Sequence, residues 1–187
     1  MLANLASRSA VEVSRIAAWL EAPTDQIAWA TRNLYELNLR VRHLLRDARN
    51  IDRFRSEMVS DQIQLLEGLS KLFEFSKPDH KAALQEGIKF RRDQLEKDGV
   101  PEVKQLTAAE LARQVGATDE HQRFYKLYLK YVHASSAYLV NSGQEFFDIF
   151  DRYSRTILFL NAQQYARDTI ELVTPKTNTS LDSLTNG

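Results

Sequence analysis

The chain has no cysteine, only four prolines and six glycines among 187 residues, and 25 basic residues against 25 acidic ones. Without cysteine there is no disulfide, no thiolate metal ligand and no thiol nucleophile. Balanced charge leaves no global field to draw in nucleic acid or anionic lipid. Long apolar runs are also missing: Ile157 to Leu160 falls far short of the roughly 20 residues that a membrane-spanning helix takes. Arg8, Glu12 and Arg15 interrupt the N-terminal segment at helical spacing, where a signal peptide would be apolar throughout. These absences predict a soluble cytoplasmic protein with no membrane association. Sparse glycine and proline favour long helices over frequent turns, and no period-two alternation marks a strand.

Catalytic and cofactor motifs are equally scarce. No HExxH occurs, and no histidine has a glutamate three residues before it, so neither the zincin nor the di-iron pattern is present. Glycine loops that cradle phosphates are missing, as is the strained Gly-x-Ser-x-Gly turn that serine catalysis uses. Neither a metal nor a cofactor is expected.

What remains is helix punctuation. Prolines at 23, 78, 101 and 175 separate periodic stretches. Helices are predicted over Ser7 to Leu20, over Thr24 or Asp25 to Ala48, over Ile51 to Phe75 and over Pro78 to Lys97. Thr107-Ala108-Ala109-Glu110 is a capping box opening a short helix, and Gly116 ends it in the C′ position. A further helix starts near Thr118 and breaks at Asn141-Ser142-Gly143; the last runs from Gln144 to Val173. The fold class is therefore all-α: a single-domain bundle of about six helices over residues 1–173, with long antiparallel helices. Residues 174–187 are polar and aperiodic, and are predicted to form a disordered tail.

Three groups of residues could carry chemistry. On the second helix, Arg32 and Glu36 are i,i+4 neighbours, and His43, eleven positions past Arg32, returns to within about 20° of the same face. Arg for an anion, Glu for orientation and His for proton transfer would make a site wall; a solvated face with one weak ion pair is the plainer alternative. Trp29, Tyr35 and Leu39 flank this line, which argues against full exposure. The second group is the stretch DEHQRFYKLYLKYVHASS, where Tyr125 and Tyr128 share a face with Ser136, His133 sits at its border, and Ser135 follows. His133 could act as a base with Ser135 or Ser136 beside it, or these groups could simply satisfy one another inside a bundle. The third is a run of six arginines, Arg40, Arg42, Arg46, Arg49, Arg53 and Arg55, against Asp47 and Asp52. It suits either a phosphate patch or plain complementation of a helix C-terminus.

The RNLYELNLRVRHLL helix together with the LARQVGATDEHQRFYKLYLKYVHASS segment resembles a bacterial all-helical family. Its members share an Arg-x-x-x-Glu helix early and a Tyr-rich helix ending in Val-His-x-Ser late. The matching positions here are Arg32, Glu36, Tyr125, Tyr128, Val132, His133 and Ser135. The resemblance implies a helical bundle and no established reaction. More distantly, the chain is similar to the HEPN helical superfamily, many of whose members are metal-independent ribonucleases of toxin and defence systems with an Arg-x(4–6)-His motif. Arg32-Asn33 begins in that way, but the spacings here are longer: ten intervening residues to His43, seven from Arg113 to His121, nine from Arg123 to His133.

Two functions are therefore expected to compete. One is a binding or assembly module that self-associates through an exposed helix face or takes a protein partner, with Arg32, Glu36, Tyr125 and His133 in one polar network. The other is an RNase-like effector in which His133 and Arg32 act on RNA without a metal.

Overall fold

The computed structural model describes residues 1–19, 21–72, 78–132 and 145–185, with side chains left aside at Pro78, 145–148 and 175–185. Every regular element among these residues is helical. The helices are α1 (Leu2–Ala18), α2 (Thr24–Arg46), α3 (Arg49–Leu72), α4 (Pro78–Lys97) and α5 (Ala108–Val115). Next comes a composite α6, which is α-helical over Thr118–Glu120, π-helical over His121–Tyr125 and α-helical again over Lys126–Val132. The last is α7 (Glu145–Thr185). The chain divides into two compact units, Met1–His43 with Ala108–Gly187, and Leu44–Thr107, where the sequence pattern suggested one domain.

In the first unit α2 is the core. Ile27, Ala28, Ala30, Leu34, Tyr35, Leu39 and Val41 are fully enclosed. A helix covered on most of its faces ordinarily reads as apolar all round. This one instead carries Thr24, Thr31 and Asn38 in the buried set. Their partners explain them. Thr24 Oγ1 donates to Asp151 Oδ2 at 2.7 Å, Thr31 Oγ1 donates to the Ile27 carbonyl at 2.8 Å and reaches the Leu158 carbonyl at 3.4 Å, and Asn38 Nδ2 donates to Thr169 Oγ1 at 3.3 Å and reaches the Tyr165 carbonyl at 3.5 Å. The positions step by seven on both helices, 24, 31, 38 against 151, 158, 165, so α2 and α7 run parallel with a constant offset. A seven-residue step keeps one seam facing a neighbouring helix over several turns. The expectation of antiparallel long helices does not extend to this pair.

Thr24 therefore spends its hydroxyl on α7 rather than on its own helix end; the Pro23 carbonyl takes the first backbone bonds instead, from Gln26 and Ile27. Helix α1 packs on α7 and buries Glu12, whose Oε1 is held by Arg8 at 3.0 Å and Arg15 at 2.9 Å.

Gly116 sits at a φ of 76°, with Ala117 N–H on the Ala112 carbonyl and Gly116 N–H on the Arg113 carbonyl. This is the Schellman arrangement, which needs a left-handed residue at C′. It turns the chain sharply from α5 into α6.

In the second unit α3 packs on α4. The buried polar line of α3 fastens the extended segment after α4: Ser56 Oγ donates to the Pro101 carbonyl, Ser60 Oγ accepts from Val103 N–H at 3.0 Å, and Glu57 Oε1 accepts from Leu106 N–H at 3.4 Å. Buried backbone groups outside regular elements need such partners. These closed contacts are why Leu44–Thr107 forms a unit of its own.

The polar end segment, expected as a disordered tail from residue 174, is helical in its backbone through Thr185. Extending an existing helix needs no new nucleus, and Thr174 Oγ1 donates to the Ile170 carbonyl at 2.8 Å just before Pro175. Among the described residues no helix is long and apolar enough to cross a membrane.

Candidate functional site

One face of α2 and the π turn of α6 meet around Tyr35. Arg32 Nε donates to Glu36 Oε1 at 2.8 Å, and Tyr125 OH donates to the same oxygen at 3.2 Å. The Arg32 guanidinium also lies over the Tyr125 ring, 5.4 Å from its centre. On that same tyrosine stacks the His121 imidazole, at a centroid distance of 4.4 Å. Its Nδ1 is 3.2 Å from Tyr35 OH. Guanidinium and imidazole thus share one aromatic ring. An α-helix widened to a π turn is a local fault often found at functional positions, and His121 and Tyr125 are the two ends of this one. The turn is held from the side by Arg42, which reaches Glu120 Oε2 at 3.5 Å and the Val115 carbonyl at 3.5 Å.

Tyr35 organises the aromatic layer beneath. Its ring lies 5.2 Å from Tyr165, 6.0 Å from Tyr128 and His121, and 6.1 Å from Tyr125. Tilted contacts at such separations each contribute about 0.5–1.5 kcal/mol beyond area burial. Further in, Asn161 Nδ2 donates to Tyr128 OH at 3.1 Å, and the Tyr128 and Tyr165 hydroxyls bond at 2.9 Å. The layer is dry inside and wet outside: Tyr35 is 0% exposed, whereas the Arg32 and Glu36 side chains retain 25% and 37%.

Protonation follows burial. Desolvation pushes the Tyr35, Tyr128 and Tyr165 phenols well above their ordinary range, so all three stay neutral hydrogen-bonding groups. Tyr125 moves the same way, through burial and then the Glu36 charge. Burial works to lower Arg32, but the bond and charge of Glu36 outweigh it and the guanidinium ends above its ordinary value. His121 is lowered by burial, against the opposing pull of Glu36 and Glu120. Its imidazole is therefore neutral at pH 7 and able to take a proton.

A depressed histidine costs stability only in acid. Above the unfolded value of 6.5 both states hold a neutral ring; below it the unfolded chain binds the proton first, and the loss is complete once pH has passed the folded pKa. An NMR titration should place the His121 midpoint below 6.5. The melting temperature of His121→Asn should then fall less between pH 7 and pH 5 than that of the parent; a midpoint at or above the ordinary value would show the ring to be solvated.

Of the residues singled out from sequence, Arg32, Glu36 and Tyr125 come together and Tyr128 lies in the layer below. His43 does not join them: it is buried, and at 1.5 Å per residue it lies roughly 16 Å along α2 from Arg32. His133, Ser135 and Ser136 lie outside the described residues. His121, Tyr35 and Tyr165 were missed as members. The signal was there for His121, which stands four residues before Tyr125 in the stretch that drew attention.

Within the arginine run, Arg42, Arg49, Arg53 and Arg55 each have an acidic partner. Arg49 grips Asp47 at 2.6 Å, Arg53 bonds Glu57 at 3.1 Å and Arg55 approaches Asp52 at 3.6 Å. The Asp47 carboxyl, through its hydrogen bonds from Arg49, is drawn down to about 2. Helix-end complementation and local pairing account for these charges better than a phosphate patch. No cluster of three or more His, Cys, Asp or Glu that could hold a metal occurs among the described residues.

No protein family matches this chain, and neither does any curated protein or solved structure.

Proposed function

We propose that this chain is a helical binding and assembly module of the cytoplasm, with the Arg32–Glu36–Tyr125–His121 cluster as its recognition surface. The observation that supports this is the shared Tyr125 ring, which is contacted both by the Arg32 guanidinium, itself 25% exposed, and by the neutral His121 imidazole. Arg32 offers a charged donor fork suited to phosphate or carboxylate, and Glu36 fixes its direction through the 2.8 Å bond.

A melting-shift series with inorganic phosphate and nucleotides tests it. A bound anion at a hundredfold excess over Kd raises stability by about 2.7 kcal/mol. The shift should vanish in Arg32→Gln and persist in Arg49→Gln, whose partner Asp47 lies in the other unit. No shift with any of them removes the anion-binding reading.

Self-association belongs to the same proposal. Ile149, Tyr153, Ile157 and Leu160 are exposed along α7 at steps of four, four and three, one stripe of a helix. A second copy pairing through the same stripe would cover it symmetrically. Light scattering should give a multiple of the 21.5 kDa chain mass, reduced to the monomer by Ile157→Glu; a monomeric parent ends this part.

A second reading is favoured by the imidazole–guanidinium pair itself: a metal-independent RNase-like effector. Neutral His121 would take the proton from a ribose 2′-hydroxyl as its oxygen attacks the adjacent phosphate; the P–O5′ bond breaks, leaving a 2′,3′-cyclic phosphate and a 5′-oxygen that takes a proton from water, with Arg32 stabilising the phosphate charge. RNA incubated with the protein in chelator decides between the two. Cleavage lost in His121→Ala and Arg32→Ala supports the nuclease; no cleavage, or cleavage unchanged in both, removes it. His133→Ala is the parallel arm for the histidine first suggested by the sequence.

A further inference from the structure

A concavity in the first unit has a chemistry different from that of the Arg32 cluster. A cavity of about 210 Å³ opens beside the start of α2, lined by Trp19, Asp25, Gln26, Trp29, Tyr131 and Val132. Among the described residues its walls are three aromatic rings, and the charged group is Asp25. The Asp25 Oδ1 atom is buried and has no hydrogen-bond partner. A carboxyl group with an unpaired buried oxygen carries a desolvation cost that a ligand would relieve.

Elimination narrows the ligand. An anion would meet Asp25, with no cation among the described lining residues. A metal ion would find one carboxylate and no second strong ligand. A wholly apolar guest would leave the carboxylate unpaired. A primary ammonium is strongly hydrated and wants several acceptors, which aromatic faces do not supply. A methylated ammonium is weakly hydrated, spreads its charge over its methyl groups and is held by ring faces. The positive end of α2 opposes any cation here, and Asp25 in the first turn offsets that field. Trp29 already attracts a cation from within the chain, since the Arg15 guanidinium lies 5.2 Å from its ring centre.

We propose that Trp19, Trp29 and Tyr131, with Asp25 as counter-charge, form an aromatic cage for a methylated ammonium group. The size admits a single such headgroup rather than a drug-sized molecule, whose pockets usually begin near 300 Å³. The cage stands apart from the Arg32 cluster in its residues, and it holds whether or not that cluster binds an anion.

The chain contains two tryptophans and both line this cavity, so fluorescence excited selectively at tryptophan reports on it. Titration of the full chain with choline, read by fluorescence and by calorimetry, should saturate with a Kd in the millimolar range or tighter. Free trimethyllysine is the parallel probe; tighter binding of one over the other identifies the source of the headgroup, small molecule or modified peptide. Trp29→Leu and Asp25→Asn should each weaken binding by about tenfold or more, and Trp29→Phe by less, because phenylalanine keeps a smaller ring quadrupole. Trp29 is 38% exposed, so its replacement spares the core, which a melting curve checks. The neutral tert-butyl analogue of choline should not bind. The cage is overturned if neither cation binds, if the neutral analogue binds as well as choline, or if Asp25→Asn binds as the parent does.

Discussion

Tyr35→Ala is expected to lower the unfolding free energy by about 3–5 kcal/mol, the range for deleting a large enclosed aromatic side chain. Tyr35 is fully buried and its ring meets four others, His121, Tyr125, Tyr128 and Tyr165. Those rings belong to α6 and α7, so removing the hub leaves a cavity that neither helix can fill by shifting alone. Tyr35→Phe separates packing from hydrogen bonding. It keeps the ring and removes only the hydroxyl at 3.2 Å from His121 Nδ1, a loss of about 0.5–1.5 kcal/mol. Denaturant unfolding of the two variants gives both numbers. An alanine variant costing no more than the phenylalanine variant would mean that the aromatic layer is not packed around this residue. The same pair of variants bears on the site: with Phe at position 35, His121 retains its stack on Tyr125 but loses the group that fixes its ring orientation.

Asn38→Asp should be as damaging at neutral pH by another route. Asn38 is 1% exposed in the α2–α7 seam, and its Nδ2 serves Thr169 while its Oδ1 is buried without a partner. The substitution changes almost no volume, yet it replaces a donor with an ionised oxygen and places a charge where no cation waits. Burying an unpaired charge costs about 3–5 kcal/mol. The new carboxyl would have its folded pKa raised above the unfolded value near 3.9. The sign of the pH dependence then follows. The unfolded chain releases the proton first as pH rises, so the penalty is absent in acid and grows through the neutral range. Chemical denaturation at pH 5 and pH 7.5 should show a smaller deficit at the lower value. A deficit below about 1 kcal/mol at pH 7.5 would place residue 38 in contact with water and undo the parallel seam.

Helix positions were largely legible because their signals are local. Pro78 and Lys97 bound α4 in sequence and structure alike, and Gly116 takes the left-handed C′ position assigned to it. The start of α2 at Thr24 matches one of the two positions the sequence offered, and the Thr24 hydroxyl bonds Asp151 there. Arg32 and Glu36 could be paired from their spacing. His43 could not be separated from them in that way, because a helical wheel ignores rise along the axis. His121 was passed over because the π turn that joins it to Tyr125 leaves no mark in a 100° periodicity.

The sequence by itself decided that this chain is helical, where most helices begin and stop, and that no cysteine, thiolate-metal or glycine-loop chemistry is open to it. Those properties depend on residues within a turn or two of each other. Tertiary structure alone decided that α2 and α7 run in parallel register across 127 positions, that Ser56, Glu57 and Ser60 fasten a distant loop, and that an imidazole and a guanidinium share one tyrosine. These contacts depend on which surfaces exclude water together, a property of the packed molecule that no stretch of the chain carries alone.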